Sequence, residues 1–228
     1  LIGTFEAGLD KIDLRQGVDS LSLGGKDDVI TAFNTESISA GAGDDKIILV
    51  DKATRVIDGG AGIDTLDVSL LNEEAGQSLV LQDDELKETV EEVLGIVKVE
   101  NVKGSDFNDT FTGNESANNL FGAAGDDTLS GGGGDDILSG GSGSNTALYT
   151  GPMGNYRFSA STTGMVVADA VGTDGSDTLI DIENLTFSNG SVAASFVEGK
   201  YTLSGSSLAE TITIDGTVGL ALSGGSGN

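Results

Sequence analysis

Acidic and amide side chains recur at every ninth residue in one part of the sequence, each five residues after a glycine. The stretch 104–148 divides into five nonamers without insertion or deletion, which read GSDFNDTFT, GNESANNLF, GAAGDDTLS, GGGGDDILS and GGSGSNTAL. Their sixth positions are Asp109, Asn118, Asp127, Asp136 and Asn145. Side-chain oxygens beside turns with free backbone carbonyls are the ligands that a hard cation such as Ca²⁺ prefers. The spacing therefore predicts a series of calcium sites.

Short strands and tight turns are the elements that must position these side chains. Every eighth position of the nonamers is apolar, which is typical of a strand with one inward side chain: Phe111, Leu120, Leu129, Leu138 and Ala147. Glycines in the first half of each nonamer permit positive φ and close approach of the backbone. Two nonamers then complete one coil of about 18 residues, and nonamers n and n+2 stack at about the 4.8 Å spacing of neighbouring strands.

This stacking would place the sixth-position side chains in two columns. Asp109, Asp127 and Asn145 fall on one side, and Asn118 and Asp136 fall on the other. A column of like charges is unfavourable unless cations lie between its members. We therefore expect ions between Asp109 and Asp127, between Asp127 and Asn145, and between Asn118 and Asp136. The asparagines keep an oxygen donor without a charge, so their sites should be weaker.

The flanking carboxylates of these turns have a different expected role. Asp126 and Asp135 precede two of the column residues, and we expect both to face solvent. The loop around Glu115 and Ser116 lacks most of the glycines found in the other turns, so the site beside it is the least regular of the series.

The pattern G-G-x-G-x-D-x-U-x, with U apolar, resembles the calcium-binding nonapeptide repeat of the RTX (repeats-in-toxin) family. This resemblance implies an all-β fold, a parallel β-roll (right-handed and β-helix-like) in two blocks with a small β extension as a cap. It also implies a secreted protein, located outside the cell or on the bacterial cell surface. Such a protein passes a type I secretion apparatus, which acts on parts outside this chain, and folds on Ca²⁺ after export.

Shorter stretches of the sequence carry further resemblances. LIGTFEAGLDKIDL and IVKVENVKGSDFNDT resemble sequences that flank such repeat blocks in serralysin-like and other large secreted RTX proteins. SDTLIDIENLTFSNGSV resembles the small β extension that often follows the blocks. Aromatic residues concentrate in 149–197, where core packing is favoured over a carbohydrate-binding platform.

Residues 15–67 repeat the pattern with several departures. The turns GGKDDVI, GAGDDKI and GGAGIDTL place Asp28, Asp45 and Asp64 in one column. The opposite turns, AFNTES and VDKATR, contain no glycine, and Thr54 takes the acidic position. We therefore expect calcium on only one side of this block.

The first block also carries two local irregularities. Lys26 stands where a glycine is expected, which weakens the Asp28 site, and in the alternative register Asp27 is the ligand. The inward apolar side chains are expected nine residues apart, except for one deletion and one insertion near Asp58, at Leu21, Ile30, Ile38, Ile47, Val56 and Leu66.

The predicted metal ligands are the column side chains and the glycines of their turns, whose carbonyl oxygens complete each site. They are Gly24, Asp28, Gly41, Gly43, Asp45, Gly60, Gly62, Asp64, Asp109, Asn118, Gly122, Gly125, Asp127, Gly131, Gly132, Gly134, Asp136, Gly140, Gly141, Gly143 and Asn145. This set is expected to hold about five Ca²⁺ ions.

The chain divides into six predicted segments. They are the end of a preceding strand region (1–14), a degenerate first roll block (15–67), a spacer insert (68–103), a second roll block (104–148), a β extension that caps the roll (149–197) and the start of a third, truncated block (198–228). Within the insert, a strand is expected over Ser78–Leu81, a short helix over Asp83–Leu94 and a strand over Ile96–Val102.

Composition excludes several functions. Eleven basic residues against 37 acidic ones give a net charge of −26, which argues against binding to nucleic acid or to an anionic membrane surface. The absence of His and Cys removes the usual ligands of zinc and haem sites and the usual base of serine hydrolases. No apolar run approaches the length of a transmembrane helix, so direct membrane insertion is not expected.

We therefore expect no catalytic site within this chain, and three other interpretations stay open. A glycine-rich linker without fixed structure is opposed by the regular apolar positions. The segment would otherwise be a rigid spacer of a cell-surface adhesin or S-layer-like protein, or the C-terminal part of a secreted exoenzyme whose catalytic domain lies outside this chain.

Overall fold

Two long sheets face each other along the chain. The computed structural model describes residues 2–4, 11–14, 20–33, 35, 37–51, 54, 56–71, 76–83, 95–197, 200–204, 212–214 and 220–221. Among these, the strands of sheet one, in spatial order, are β1 (Ile2–Thr4), β3 (Ser20–Ser22), β5 (Ser37–Ala42), β7 (Val56–Ala61), β10 (Gly95–Val97), β9 (Ser78–Gln82), β12 (Thr110–Thr112), β14 (Thr128–Ser130), β16 (Thr146–Leu148), β20 (Asn184–Phe187), β21 (Gly190–Val197), β22 (Lys200–Ser204) and β23 (Ile212–Ile214).

Sheet two holds the alternate strands. In spatial order they are β2 (Lys11–Leu14), β4 (Val29–Ala32), β6 (Lys46–Leu49), β8 (Thr65–Asp67), β11 (Asn101–Lys103), β13 (Asn119–Ala124), β15 (Ile137–Ser142), β19 (Ser176–Ile180), β18 (Met165–Asp169), β17 (Tyr156–Ala160) and β24 (Leu220–Ala221). Pairing is parallel from β1 to β20 in sheet one and from β2 to β19 in sheet two. The described residues contain one 3₁₀ turn, Met153–Asn155, and no α-helix. The predicted all-β parallel roll is confirmed.

One inward side chain per strand forms the core between the sheets. Most strands of the roll follow an alternating pattern in which the central residue is buried and its neighbours are not. Leu120, Leu129 and Leu138 are fully buried, and each pairs in register with the residue 18 positions away, as in Leu120 with Leu138. The nine-residue period therefore follows from two strands per coil, one in each sheet.

The prediction of Val56 as an inward residue is wrong. Ile57 is fully buried and pairs with Ile38, while Val56 is only partly buried. The inserted residue therefore lies between Ile47 and Ile57, before the strand and not near Asp58. Both Val56 and Ile57 are β-branched and apolar, so the sequence gives no reason to prefer either one as the inward side chain.

The segment 68–103 contributes strands to both sheets. β9 follows β8 in the chain, yet β10 lies between β7 and β9, so the chain skips one place in sheet one and later fills it. A single strand over Ile96–Val102 is wrong, because β10 belongs to sheet one and β11 to sheet two, with a turn at Lys98 between them. The helix expected over Asp83–Leu94 lies outside the described residues, apart from Asp83.

An aromatic cluster lies in the part of the described roll where the strands become antiparallel. Tyr149 stacks on Phe187 with ring centroids 5.4 Å apart, and Tyr156 and Phe158 contact the same ring. All four side chains are buried. The prediction that the aromatic residues of this segment serve core packing is confirmed for this cluster.

Truncation of a buried and of an exposed aliphatic side chain should show how much burial contributes to the free energy of unfolding. Leu129→Ala is expected to lower the free energy of unfolding of the calcium-loaded protein by about 2–5 kcal/mol, because Leu129 is fully buried. Ile137→Ala, at a side chain that is 42% exposed, is the matched control and should cost far less. Urea denaturation at saturating calcium measures both values, and equal losses would contradict this account of the core.

Candidate metal sites

Sheet one carries the first column of polar side chains, each two residues before an inward apolar residue. Asp109 donates its backbone N–H to Asp127 Oδ1 at 2.7 Å, and the N–H of Asp127 donates to Asn145 Oδ1 at 3.0 Å. Gln77 and Glu183 continue this chain of contacts at its two ends. The column predicted from the sequence is thus present and longer than predicted. We call it the first column: Gln77, Asp109, Asp127, Asn145 and Glu183.

Sheet two carries a second column that runs through both predicted blocks. Asp28 donates its N–H to Asp45 Oδ1 at 2.7 Å, and Asp45 donates to Asp64 Oδ1 at 2.8 Å. The N–H of Asn118 donates to Asp136 Oδ1 at 2.8 Å. Glu100 lies between these two groups, since its Oε2 accepts the N–H of Asp64 and its carbonyl accepts from the Asn118 amide. The second column is Asp28, Asp45, Asp64, Glu100, Asn118, Asp136 and Asp177.

Glycines bring the turns against these side chains. A Cβ on Gly131 would overlap the Asp136 carboxylate, and Gly122 has the same relation to Asp127. Gly134 has a φ of 92°, in the region that L side chains rarely adopt. The remaining predicted turn glycines with positive φ are Gly41, Gly43, Gly60, Gly62, Gly125, Gly132, Gly141 and Gly143.

Non-glycine residues keep the same turn geometry at two irregular positions. Lys26 has a φ of 92° and Ala123 a φ of 87°, so both adopt the glycine conformation at some cost. Asp28 is buried whereas Asp27 is exposed, its Oδ1 accepting the N–H of Asp44. The register with Asp28 in the column is therefore the one that the chain adopts.

Several column carboxylates each have one buried oxygen left over. Oδ2 of Asp45, Asp64, Asp127 and Asp136 is inaccessible to solvent and has no hydrogen-bond partner among the described residues. Such an atom costs free energy unless something pairs with it, and a hard cation is a fitting partner. No three acidic side chains converge within the described part of the chain, so a site here would combine two column side chains with turn carbonyls.

Burial raises the pKa values of these carboxyl groups. Desolvation first, and the negative charges of neighbouring column members second, raise the pKa of Asp64 and of Asp127 to about 6, against an ordinary value of 3.8. The pKa of Asp136 also rises to about 6, again chiefly through desolvation. Without a bound cation, the folded roll therefore disfavours the ionised form of these carboxyl groups.

Asp126 and Asp135 are exposed, which confirms the prediction that they face solvent. Asp126 Oδ1 accepts the N–H of Ser144 at 2.8 Å, and Asp135 Oδ1 accepts the N–H of Ser176 at 2.9 Å. They therefore link successive coils on the outside of the roll, while the column carboxylates lie inside the turns.

The two sides of the first block differ as expected from its sequence. On the side opposite Asp28, Asp45 and Asp64, the turns place Thr35 and Thr54 in buried positions. A hydroxyl group carries no charge, so these two described positions lack the carboxylates of the second column.

Four column residues were missed by sequence reasoning: Gln77, Glu100, Asp177 and Glu183. They lie outside the predicted repeats, but each stands two residues before a buried apolar residue, for example Glu100 before Val102. That spacing was the signal that could have identified them. Glu100 and Glu183 also share the local sequence E-N followed by an aliphatic residue.

Comparison with known proteins agrees with this geometry. A family model described as the RTX calcium-binding nonapeptide repeat (4 copies) matches residues 99–125 and 112–147. No curated protein matches the chain significantly. Within the described ranges no helix is long and apolar enough to span a membrane. RTX repeats bind calcium and are typical of secreted proteins. Residues 99–147 therefore match the RTX calcium-binding nonapeptide repeat.

Proposed function

We propose that this chain is a calcium-dependent structural module of a secreted RTX protein, which folds on Ca²⁺ after export by a type I secretion apparatus. The observation that carries this proposal is the pair of buried columns, whose carboxylates have like charge and leave four buried Oδ2 atoms without partners among the described residues. The chain has a net charge of −26, so a calcium-poor compartment would favour an expanded state.

Five inter-coil steps would hold the ions in this proposal. At least one of the two side chains in each step is an aspartate. In every step, the backbone N–H of the first residue donates to a side-chain oxygen of the second. The steps are Asp28 to Asp45, Asp45 to Asp64, Asp109 to Asp127, Asp127 to Asn145, and Asn118 to Asp136. The carbonyl groups of the adjoining glycine turns would supply the other oxygen ligands.

Ion binding of this kind supplies enough free energy to act as a folding switch. At calcium tenfold above Kd, one site stabilises the folded state by about 1.4 kcal/mol. Five sites would contribute about 7 kcal/mol, which is comparable to the stability of a whole domain. Extracellular calcium modules bind at about 10⁻⁴–10⁻³ M, so the switch would respond outside a cell and not in the cytosol.

A far-UV circular dichroism titration tests the proposal. Chelator-treated protein should gain β signal cooperatively as Ca²⁺ rises from about 10⁻⁴ to 10⁻³ M. Mg²⁺ is the control and should have little effect, because it loses its water ligands reluctantly. A spectrum that is already folded in chelator and does not change with Ca²⁺ would refute the calcium switch.

Two adjacent aspartates allow the column to be tested directly. Asp127→Asn removes a charge shared by two proposed sites and should raise the Ca²⁺ concentration at the folding midpoint several-fold, up to about tenfold. Asp126→Asn removes an equal charge from the exposed neighbour and is expected to shift the midpoint by much less. Equal shifts would indicate a response to net charge and not to ions held within the column.

A further inference from the structure

A turn in the cap reproduces the nonapeptide turn outside the repeats that the family model matches. Residues 172–180 read GTDGSDTLI, with Gly at the first and fourth positions, Asp177 at the sixth and Leu179 at the eighth. Gly175 has a φ of 73°, and Leu179 is buried. The β17–β18 hairpin separates this turn from the uninterrupted array, which hides the period in the sequence.

The turn stacks on the coil before it through the contacts used between repeats. The N–H of Asp136 donates to Asp177 Oδ1 at 3.1 Å, and the N–H of Thr178 donates to the Asp136 carbonyl at 2.8 Å. Asp127 has the corresponding contacts, with Asn145 Oδ1 at 3.0 Å and with the N–H of Thr146 at 2.8 Å.

The glycines of the two stacked turns agree with this register. A Cβ on Gly175 would overlap the carbonyl oxygen of Gly134, just as a Cβ on Gly143 would overlap that of Gly125 within the repeats. Gly175 therefore occupies the fourth position of a nonapeptide turn, directly beside the next coil.

A buried, unpartnered oxygen points to a ligand at this step. Asp136 and Asp177 are each 1% exposed, and Asp136 Oδ2 has no hydrogen-bond partner in the part of the chain that the structure describes. Both members of this step are carboxylates, whereas the Asn118 to Asp136 step has only one. Two carboxylates held together out of solvent require a cation more strongly than one does.

We propose that a further Ca²⁺ site lies between Asp136 and Asp177, built from the turn 131–136 of the second block and the turn 172–177 of the cap. This inference rests on the proposed function, because it extends the same ion column. The site joins the cap to the repeats, so calcium would order the last coil together with the roll.

The other column ends differently at the cap. Glu183 replaces the sixth-position aspartate, and its Oε2 accepts the N–H of Asn145 at 2.7 Å. A tight corner with Asp181 at a φ of 51° stands in place of the glycine-rich turn.

Lys98 and Glu100 form the same corner at the Asp64 step, where Lys98 also has a φ of 51° and Glu100 Oε2 accepts the N–H of Asp64. These corners lack the glycine-turn carbonyls, so we expect no ion at either step.

Tyrosine-sensitised Tb³⁺ luminescence can report on the new site. The chain has three tyrosines and no tryptophan. Tyr149 lies beside the Asp177 carboxyl group, and the Tyr156 hydroxyl donates to Asp174 Oδ2 at 2.5 Å. In a Tyr201→Phe background, Tb³⁺ that replaces Ca²⁺ at this step should be excited through these two rings. Native mass spectrometry with Ca²⁺ counts the ions independently.

Asp177→Asn is the test variant and Glu183→Gln is its matched control at the equivalent position of the other column. We expect Asp177→Asn to weaken the sensitised Tb³⁺ phase about tenfold or more and to lower the Ca²⁺ count by one at limiting calcium. Glu183→Gln should change neither. Identical titrations for wild type and Asp177→Asn would overturn the inference. Saturated Tb³⁺ binding without sensitised emission in the Tyr201→Phe chain would overturn it as well. This second outcome does not depend on whether any aspartate variant folds.

The same experiment separates failure of this inference from failure of the proposed function. If the wild-type chain gains β signal with Ca²⁺ but Asp177→Asn leaves the sensitised phase and the ion count unchanged, only the additional site is wrong. If the wild-type chain shows no response to Ca²⁺ at all, the proposed function fails and the additional site fails with it.

Discussion

Replacing Gly131 by alanine is expected to lower the free energy of unfolding of the calcium-loaded protein by about 3 kcal/mol, the upper end of what overpacking costs. The new Cβ would overlap the carboxylate of Asp136, which is buried and accepts the backbone N–H of Asn118 from the preceding coil. The turn or the carboxylate must therefore move, and either movement displaces an oxygen from a proposed calcium site. The Ca²⁺ concentration at the folding midpoint should rise as well.

Gly133→Ala is the matched control in the same turn. The nearest atom to a Cβ on Gly133 would be the Thr173 carbonyl oxygen at 3.2 Å, and the φ of Gly133 is not in the positive region. Alanine also restricts the unfolded chain more than glycine does, so this variant should be close to neutral. Urea denaturation at fixed calcium measures both variants, and a Gly131→Ala protein as stable as wild type would contradict the tight packing of glycine against carboxylate.

The uninterrupted repeat made much of the fold predictable. Each nonamer contains both its strand and its turn, so the positions of Leu120, Leu129 and Leu138 follow from counting alone. The pairing of Asp109 with Asp127 follows as well, because it needs only two strands per coil. Local sequence decides these features, and no long-range information is required.

Features that depend on distant parts of the chain were not predictable in this way. The place of β10 between β7 and β9 requires the chain to return to a gap that it has already passed, and nothing near Ile96 in the sequence indicates that gap. Asp177 joins the second column only after the β17–β18 hairpin, whose length conceals the nine-residue period. Glu100 and Glu183 were overlooked because their corners lack the glycines that mark the other turns.

Two glutamates mark the column steps at which no ion is expected. Glutamate reaches the backbone N–H of the preceding coil from a shorter corner, so Glu100 and Glu183 complete the hydrogen bonding of Asp64 and Asn145. Four aspartates instead keep one buried oxygen for another partner: Asp45, Asp64, Asp127 and Asp136. In the absence of calcium, the available substitute for that partner is a proton.

Acidification is therefore expected to fold the calcium-free protein. The pKa of Asp177 rises to about 8 and those of Asp64, Asp127 and Asp136 to about 6, chiefly through desolvation in the folded roll. The ordinary value for these carboxyl groups is 3.8, so the folded state binds protons more tightly than the unfolded state. The stabilisation should be complete below pH 3.8 and should be lost as the pH rises through about 6 to 8.

Far-UV circular dichroism of calcium-free protein across this pH range measures the effect, with β signal expected to grow as the pH falls. The double variant Asp127→Asn/Asp136→Asn imitates the protonated columns and should hold more β signal at neutral pH, with a weaker response to acid. Asp126→Asn/Asp135→Asn removes the same charge from exposed positions and should retain the wild-type response. A β signal that is independent of pH, or lost on acidification, would show that the columns do not control folding. Equal behaviour of the two double variants would assign the effect to net charge and not to the buried columns.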